Sequence, residues 1–289
     1  MKQKKWIPYT LLLPSLILIV ALYGYPILLT VWQSFNKVNL LNSSTEFIGL
    51  QNYKNILTDS SFYSTLGITV NYTVITVLLK IFLGFGFAYI LSREIFLKKQ
   101  FRFLILIPWA IPQVAVSTLW SWILNGDYGY LNYYLVKIGL ISEPLKFLSD
   151  PNLAFYCAAF VDAWIGISLV SMMFLAGLEA IPRSLYEAAE VDGAGRFRQF
   201  IDITIPGIKK LFMTVLILVT IWTFNSFNVI YVLTKGGPMR STETLIIRIY
   251  QEAFSRFDLG MSSTLTVITV IILSIMTLIY VRGLNSDET

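Results

Sequence analysis

Residues 187–200 read EAAEVDGAGRFRQF, a polar, small-residue stretch with apolar runs on either side. A glutamate followed by two alanines favours helix. Gly193 and Gly195 then permit a sharp turn, or the close approach of another backbone. Ser184 and Glu187 stand at capping-box spacing, so a short helix is expected to begin at Ser184. A second short helix, RFRQFIDIT, is expected to end before Pro206, with Lys209 and Lys210 marking the return to apolar sequence. Two short helices thus meet at a small-residue corner. By pattern alone, such a corner is either a surface that fits a shallow cleft on a partner or a plain interfacial loop.

What flanks this stretch fixes the fold class. The chain has 289 residues, 56% hydrophobic and only 13% charged, where soluble domains carry about a quarter charged residues. A soluble domain of this length cannot hide so much apolar surface, so lipid is the expected solvent. A bilayer core needs about 20 apolar residues of helix. Six stretches meet that requirement: 8–32, 66–92, 103–124, 153–178, 211–233 and 263–281. The expected fold is an all-α integral membrane protein, one six-span domain over 1–289 with a cytoplasmic loop at 179–210. The N-terminal apolar run is too long for a signal peptide and has no small-x-small cleavage site, so it is expected to stay as the first span.

Lysine and arginine set the orientation. With the N-terminus inside, Lys2, Lys4, Lys5, Arg93, Lys98, Lys99, Arg102, Arg183, Arg196, Arg198, Lys209, Lys210 and Arg282 face the cytoplasm. Eight others fall in the longer outer segments, four of them in 234–262. Both termini are therefore expected on the cytoplasmic side of the membrane. In the outer segments, 131–141 and 244–260 have amphipathic spacing, and short surface helices are expected there.

Several chemistries are excluded. The chain has no histidine and one cysteine, Cys157, which reads as a small core hydrophobe. Disulfides within the chain, histidine acid–base catalysis and the usual zinc and haem ligand sets are ruled out. No G-x-x-x-x-G-K-[ST] occurs, so the chain does not cradle ATP by that device. It is not expected to be an enzyme, to hold a metal or to bind a cofactor.

The longer segment EAAEVDGAGRFRQFIDITIP closely resembles the EAA signature of permease subunits in binding-protein-dependent ABC importers. Glu187, Ala188, Ala189, Asp192, Gly193, Ala194, Phe200, Ile203, Ile205 and Pro206 occupy its positions. FIGLQNYKNIL, LIPWAIPQV and LTKGGP resemble further segments of the same family, in its carbohydrate-uptake branch, as in the first permease of maltose-type and glycerol-phosphate-type systems. The chain departs from the pattern at Ile205, where leucine is common, and in lacking a second proline after Pro206. The resemblance implies a second permease, two ATPase subunits that hold Mg-ATP, and an external sugar-binding protein. It also implies ATPase contact at Glu187, Ala188, Ala189, Asp192, Gly193 and Ala194.

A sugar path needs polar groups that match hydroxyls, and flat aromatic faces. Trp109 and Gln113 stand around Pro108 and Pro112, where a broken helix frees backbone groups. Asp162, Trp164, Gly166 and Ser168 lie in the fourth span, and Trp222, Thr223, Asn225 and Asn228 in the fifth. Position-by-position resemblance to the family places sugar contacts near Trp109, Gln113, Asp162, Ile165, Gly166, Trp222 and Thr223. Such Asn and Thr residues can equally bond to neighbouring helices, and Trp can sit in the interfacial belt. Asp162 and Lys80 are costly inside a span. Lys80 can pair with a carboxylate, snorkel to the inner surface or meet substrate. An ion-coupled transporter is the main alternative, but it calls for acids and broken helices in two related halves. Only Asp162 and the Pro108–Pro112 turn fit that description.

Overall fold

The computed structural model describes residues 7–41, 44–93 and 95–285. In chain order, α1 (Ile7–Ile19) runs through a π turn (Val20–Gly24) into α2 (Tyr25–Ser34). A hairpin follows, β1 (Asn36–Asn39) with β2 (Ser44–Phe47), antiparallel, with Asn36 opposite Phe47. Next come α3 (Gln51–Thr58), α4 (Ser60–Ser92), α5 (Lys98–Ala110), α6 (Gln113–Ile123), α7 (Tyr130–Lys137) and α8 (Pro151–Glu179). Then α9 (Arg183–Val191), α10 (Arg196–Gln199) and a second π turn (Phe200–Thr204) lead into α11 (Ile205–Phe224). The chain closes with α12 (Asn228–Leu233), α13 (Leu245–Tyr250), a third π turn (Gln251–Ser255) and α14 (Leu259–Asn285).

Five of these runs are long and apolar enough to cross a membrane: Leu11–Ser34, Ser60–Ser92, Pro151–Glu179, Arg196–Leu233 and Leu259–Gly283. Helices α5 and α6 together make the sixth, bent by 93°. The six expected spans are present in order. The second begins earlier than expected, at Ser60. The fifth reaches back to Arg196, because its helix does not stop before Pro206. The lysines of the N-terminal segment, Lys2, Lys4 and Lys5, lie outside the described residues. Helices form in both segments where surface helices were expected, α7 and α13, but α13 does not lie at a surface: Leu245, Ile247 and Arg248 on it are buried. The two-stranded hairpin was not expected.

Contacts group the chain into two compact units. One comprises residues up to Tyr63 with Arg248–Ser274. Within it, buried Asn52 donates to the carbonyls of Ser34 (3.2 Å) and Asn36 (3.0 Å), and Thr264 Oγ1 donates to Ser34 O at 3.1 Å. These bonds satisfy the Ser34 carbonyl, left free where α2 ends, and the Asn36 carbonyl at the start of β1. Arg248 Nη2 meets Asp59 Oδ2 at 2.8 Å. Ser61, through its N–H and hydroxyl, and then the Arg248 guanidinium lower the Asp59 pKa to about 2.

The other unit comprises Ser64–Ile247 and the chain from Ile275 onward. Helix α8 is its central element. Asp150 caps it by accepting from the N–H groups of Asn152 (3.0 Å) and Leu153 (2.9 Å), and Pro151 opens its first turn. Ala154, Ala158, Ala159 and Ala163 are fully buried along it, small enough for neighbouring helices to approach closely. Two core clusters line this helix. One is built around Tyr72, Val116, Val161 and Ile230, the other around Val77, Phe174, Leu175 and Val215.

Candidate functional site

The small-residue loop is built by its backbone. Helix α9 starts after Pro182, whose φ of −59° and ψ of 129° put it in the capping position. Ser184 therefore sits inside the first turn and makes no cap, contrary to the capping-box expectation. Proline takes that place because the end of a helix has no use for its missing N–H. At the other end, Gly193 N–H bonds to Glu190 O (3.0 Å) and Ala194 N–H to Ala189 O (2.8 Å), with Gly193 at φ +75°. This is a Schellman closure, and its left-handed position favours glycine. A methyl group at Gly193 or Gly195 would meet nothing within 4 Å in this chain.

The loop continues straight into the fifth span. Pro206 has no N–H for the carbonyl four residues earlier, and the widened turn at Phe200–Thr204 accommodates that gap. The Tyr186 hydroxyl contacts Thr204 Oγ1 at 3.0 Å, Gln199 Nε2 donates to Ala194 O at 3.1 Å, and Phe200 packs edge-on against Tyr89. Glu187, Ala188, Asp192 and Gly193 are exposed, while Ala189 and Ala194 are half-buried. Val191 and Phe197 beside them are 88% and 77% exposed. Behind the loop lies a cavity of about 810 Å³ whose lining includes Tyr89, Glu179, Tyr186 and Glu187. Glu179 there pairs with Arg102 and, at 3.3 Å, with Lys98.

The third and fifth spans are both broken. Proline disfavours helix in the residue before it, and Ile111 is extended at φ −87°, ψ 139°, ahead of Pro112. The 93° bend follows. Helix α11 stops at Phe224, and three residues intervene before α12, a break not expected from the sequence. The two breaks meet: Gln113 opens α6, Asn228 opens α12, and Asn228 Nδ2 donates to Gln113 Oε1 at 2.9 Å. Trp109 is 54% and Trp222 50% exposed. Gln113 and Asn225 are also exposed, and Asn225 Nδ2 turns back to Ile221 O at 2.9 Å.

The remaining path candidates are buried together. Lys80 Nζ on α4 donates to Asp162 Oδ1 on α8 (2.8 Å) and to Thr223 Oγ1 on α11 (3.0 Å). The Tyr72 hydroxyl donates to Asp162 Oδ2 at 3.0 Å. Lys80, Asp162, Thr223 and Tyr72 are all at least nine-tenths buried, as is Ile165 one turn from Asp162. Gly166 leaves room for the Lys80 stem. Of the three fates open to Lys80, the structure has it paired with a carboxylate. Trp164 packs edge-on against Trp120, and Ser168 is buried. The candidates thus fall into an exposed set at the breaks and a buried set around an ion pair. Tyr72 was missed, although it lies eight residues before Lys80, two turns away on one helix face. Among the described residues, no group of three or more Asp, Glu, Cys or His could hold a metal.

Comparison with known proteins adds to this picture. Residues 80–286 match the family model described as "Binding-protein-dependent transport system inner membrane component". The chain is 37% identical to the sulfoquinovosyl glycerol transport system permease of Agrobacterium fabrum, over 96% of this chain and 90% of that one. It is 32% identical to the trehalose/maltose transport system permease of Thermococcus litoralis, over 95% and 92%. Among solved structures, a bacterial ABC transporter involved in the import of alginate shares the fold with a TM-score of 0.86. That match covers 98% of this chain and 96% of the other at 20% identity.

Proposed function

Because the chain belongs to the family of binding-protein-dependent transport system inner membrane components, we propose that it lines one half of a sugar path. It is a permease subunit of an ABC importer. A second permease supplies the other half, two ATPase subunits hold Mg-ATP, and an external binding protein delivers the sugar. The ion-coupled reading finds no support in the family or in the relatives.

The observation that carries this reading is the continuity of α10, the π turn and α11. These join an exposed small-residue loop to the broken-helix region that holds Trp222 and Asn228. Glu187, Ala188, Gly193 and the apolar Val191 form a surface suited to a cleft on an ATPase subunit. Closure of paired ATPases would act on the bundle through that surface. Both termini are placed in the cytoplasm, from the lysine and arginine distribution. The sugar class is taken from the relatives, whose names specify sulfoquinovosyl glycerol and trehalose/maltose.

The test is to purify the tagged chain together with the products of its neighbouring genes. ATP hydrolysis is then measured with the candidate binding protein and a panel of maltose, trehalose and sulfoquinovosyl glycerol. Co-purification of a second permease and an ATPase, with turnover raised by one loaded binding protein, is expected. A chain that purifies alone, with no associated ATPase, would overturn the proposal.

A further inference from the structure

The buried set around Lys80 does more than fill a core. A charge inside a span is costly, and a buried ion pair is often no more stabilising than apolar residues of the same size. Stability alone therefore gives weak grounds for Lys80 and Asp162. Their placement is more informative, because three spans converge on one ammonium group. Lys80 leaves α4 and passes the open face of Gly166 on α8. It reaches Asp162 on that helix and ends on Thr223 of α11. Thr223 adjoins Trp222, which is half exposed, and lies two residues before the break that leads to Asn228. Asn228 in turn holds Gln113 across the other break. Tyr72 fixes the second carboxylate oxygen, so Asp162 cannot rotate freely away from the lysine.

We infer that Lys80 is a positioning residue of the transport path: anchored by Asp162 and Tyr72, it holds α11 at Thr223 and so sets the place of Trp222 and of the fifth-span break. Lys80 touches no sugar. It acts through Thr223, and its hold on α11 must be released or re-made when the fifth span shifts between states. The inference rests on the sugar-path reading and adds a mechanical role that reading does not contain.

Two variants of the assembled transporter, reconstituted in liposomes, test it. Lys80→Met with Asp162→Asn removes both charges together and keeps an acceptor for Tyr72, which avoids a stranded buried charge. Thr223→Val leaves the ion pair intact and removes only the bond to α11. Both are read as complex yield and as sugar moved per ATP hydrolysed, with the binding protein and panel sugar that stimulate the wild type. Both variants are expected to assemble, with sugar moved per ATP about fivefold below wild type, the effect of one lost hydrogen bond. A pair that only stabilises the fold predicts wild-type coupling in the double variant. Should the double variant fail to assemble, Thr223→Val decides. Wild-type coupling in Thr223→Val overturns the inference alone. A wild type that answers no binding protein overturns the transport reading, and this inference with it.

Discussion

Gly166 and Lys80 fit face to stem: a methyl group at position 166 would stand 2.8 Å from Lys80 Cδ. The lysine can cross from α4 to Asp162 because α8 has no side chain at that point. Gly166→Ala is expected to lower the stability of the purified chain by about 1–3 kcal/mol, the usual effect of overpacking. Gly86→Ala, on α4 where nothing lies within 4 Å, is the control and should be neutral or slightly stabilising. Thermal unfolding in detergent separates the two. Equal melting temperatures would mean that the Lys80 stem relocates without cost.

Gly193→Asp probes the loop. The left-handed φ at Gly193 adds about 1 kcal/mol of strain for an ordinary residue, which is too little to unfold the protein. Within this chain the new side chain meets nothing. Membrane abundance should therefore stay near wild type, while transport falls about tenfold or more, the effect of overpacking a partner's cleft that closes on that corner. Immunoblotting of membranes beside sugar uptake reads both. Normal uptake would remove Gly193 from the coupling surface.

Asp59 makes a pH-dependent contribution to its unit. Its carboxyl is held at about 2 by Ser61 and then by Arg248, below the ordinary 3.8. The stabilisation is thus fully present above pH ~4 and is lost as pH falls through about 2. Wild type should melt above Asp59→Asn at neutral pH, with the two curves converging between pH 4 and 2. A constant gap over that range would show that the carboxylate charge is not the cause.

Asn52→Leu removes two hydrogen bonds to the buried carbonyls of Ser34 and Asn36. The Thr264 hydroxyl divides its one proton between Gly260 O (2.7 Å) and Ser34 O (3.1 Å), so Ser34 is only partly compensated and Asn36 not at all by that hydroxyl. A cost of about 1–3 kcal/mol is expected, measurable as a lower melting temperature. Asn55→Leu, on the same helix with its side chain bonded at the surface to Gln51, should change little.

The six spans were legible because lipid enforces a length and a composition that few other structures share. The bend was legible because Pro112 constrains Ile111 before any packing is known. Other features depend on which faces meet, and that information is spread along the chain. Lys80 and Asp162 each stood out as costly charges, but they are 82 residues apart, and periodicity within either helix does not reveal that they pair. The break at 225–227 sits in NSFN, which carries no proline or glycine to announce it. Ser184 had the right spacing for a cap, yet Pro182 took the position because its own backbone already favours the extended entry. The buried role of Asn52 was likewise hidden, since Gln51-Asn52-Tyr53 shows no pattern of its own.

The unbroken helical run from Arg196 to Phe224 has a mechanical consequence. At 1.5 Å per residue it is a lever about 40 Å long. A tilt of about 5° at the loop end moves the far end by about 3.5 Å, more than the length of a hydrogen bond. The far end carries Thr223 and its 3.0 Å bond to Lys80. A rotation of a few degrees at the loop is therefore already enough to carry Thr223 out of reach of a lysine held by Asp162.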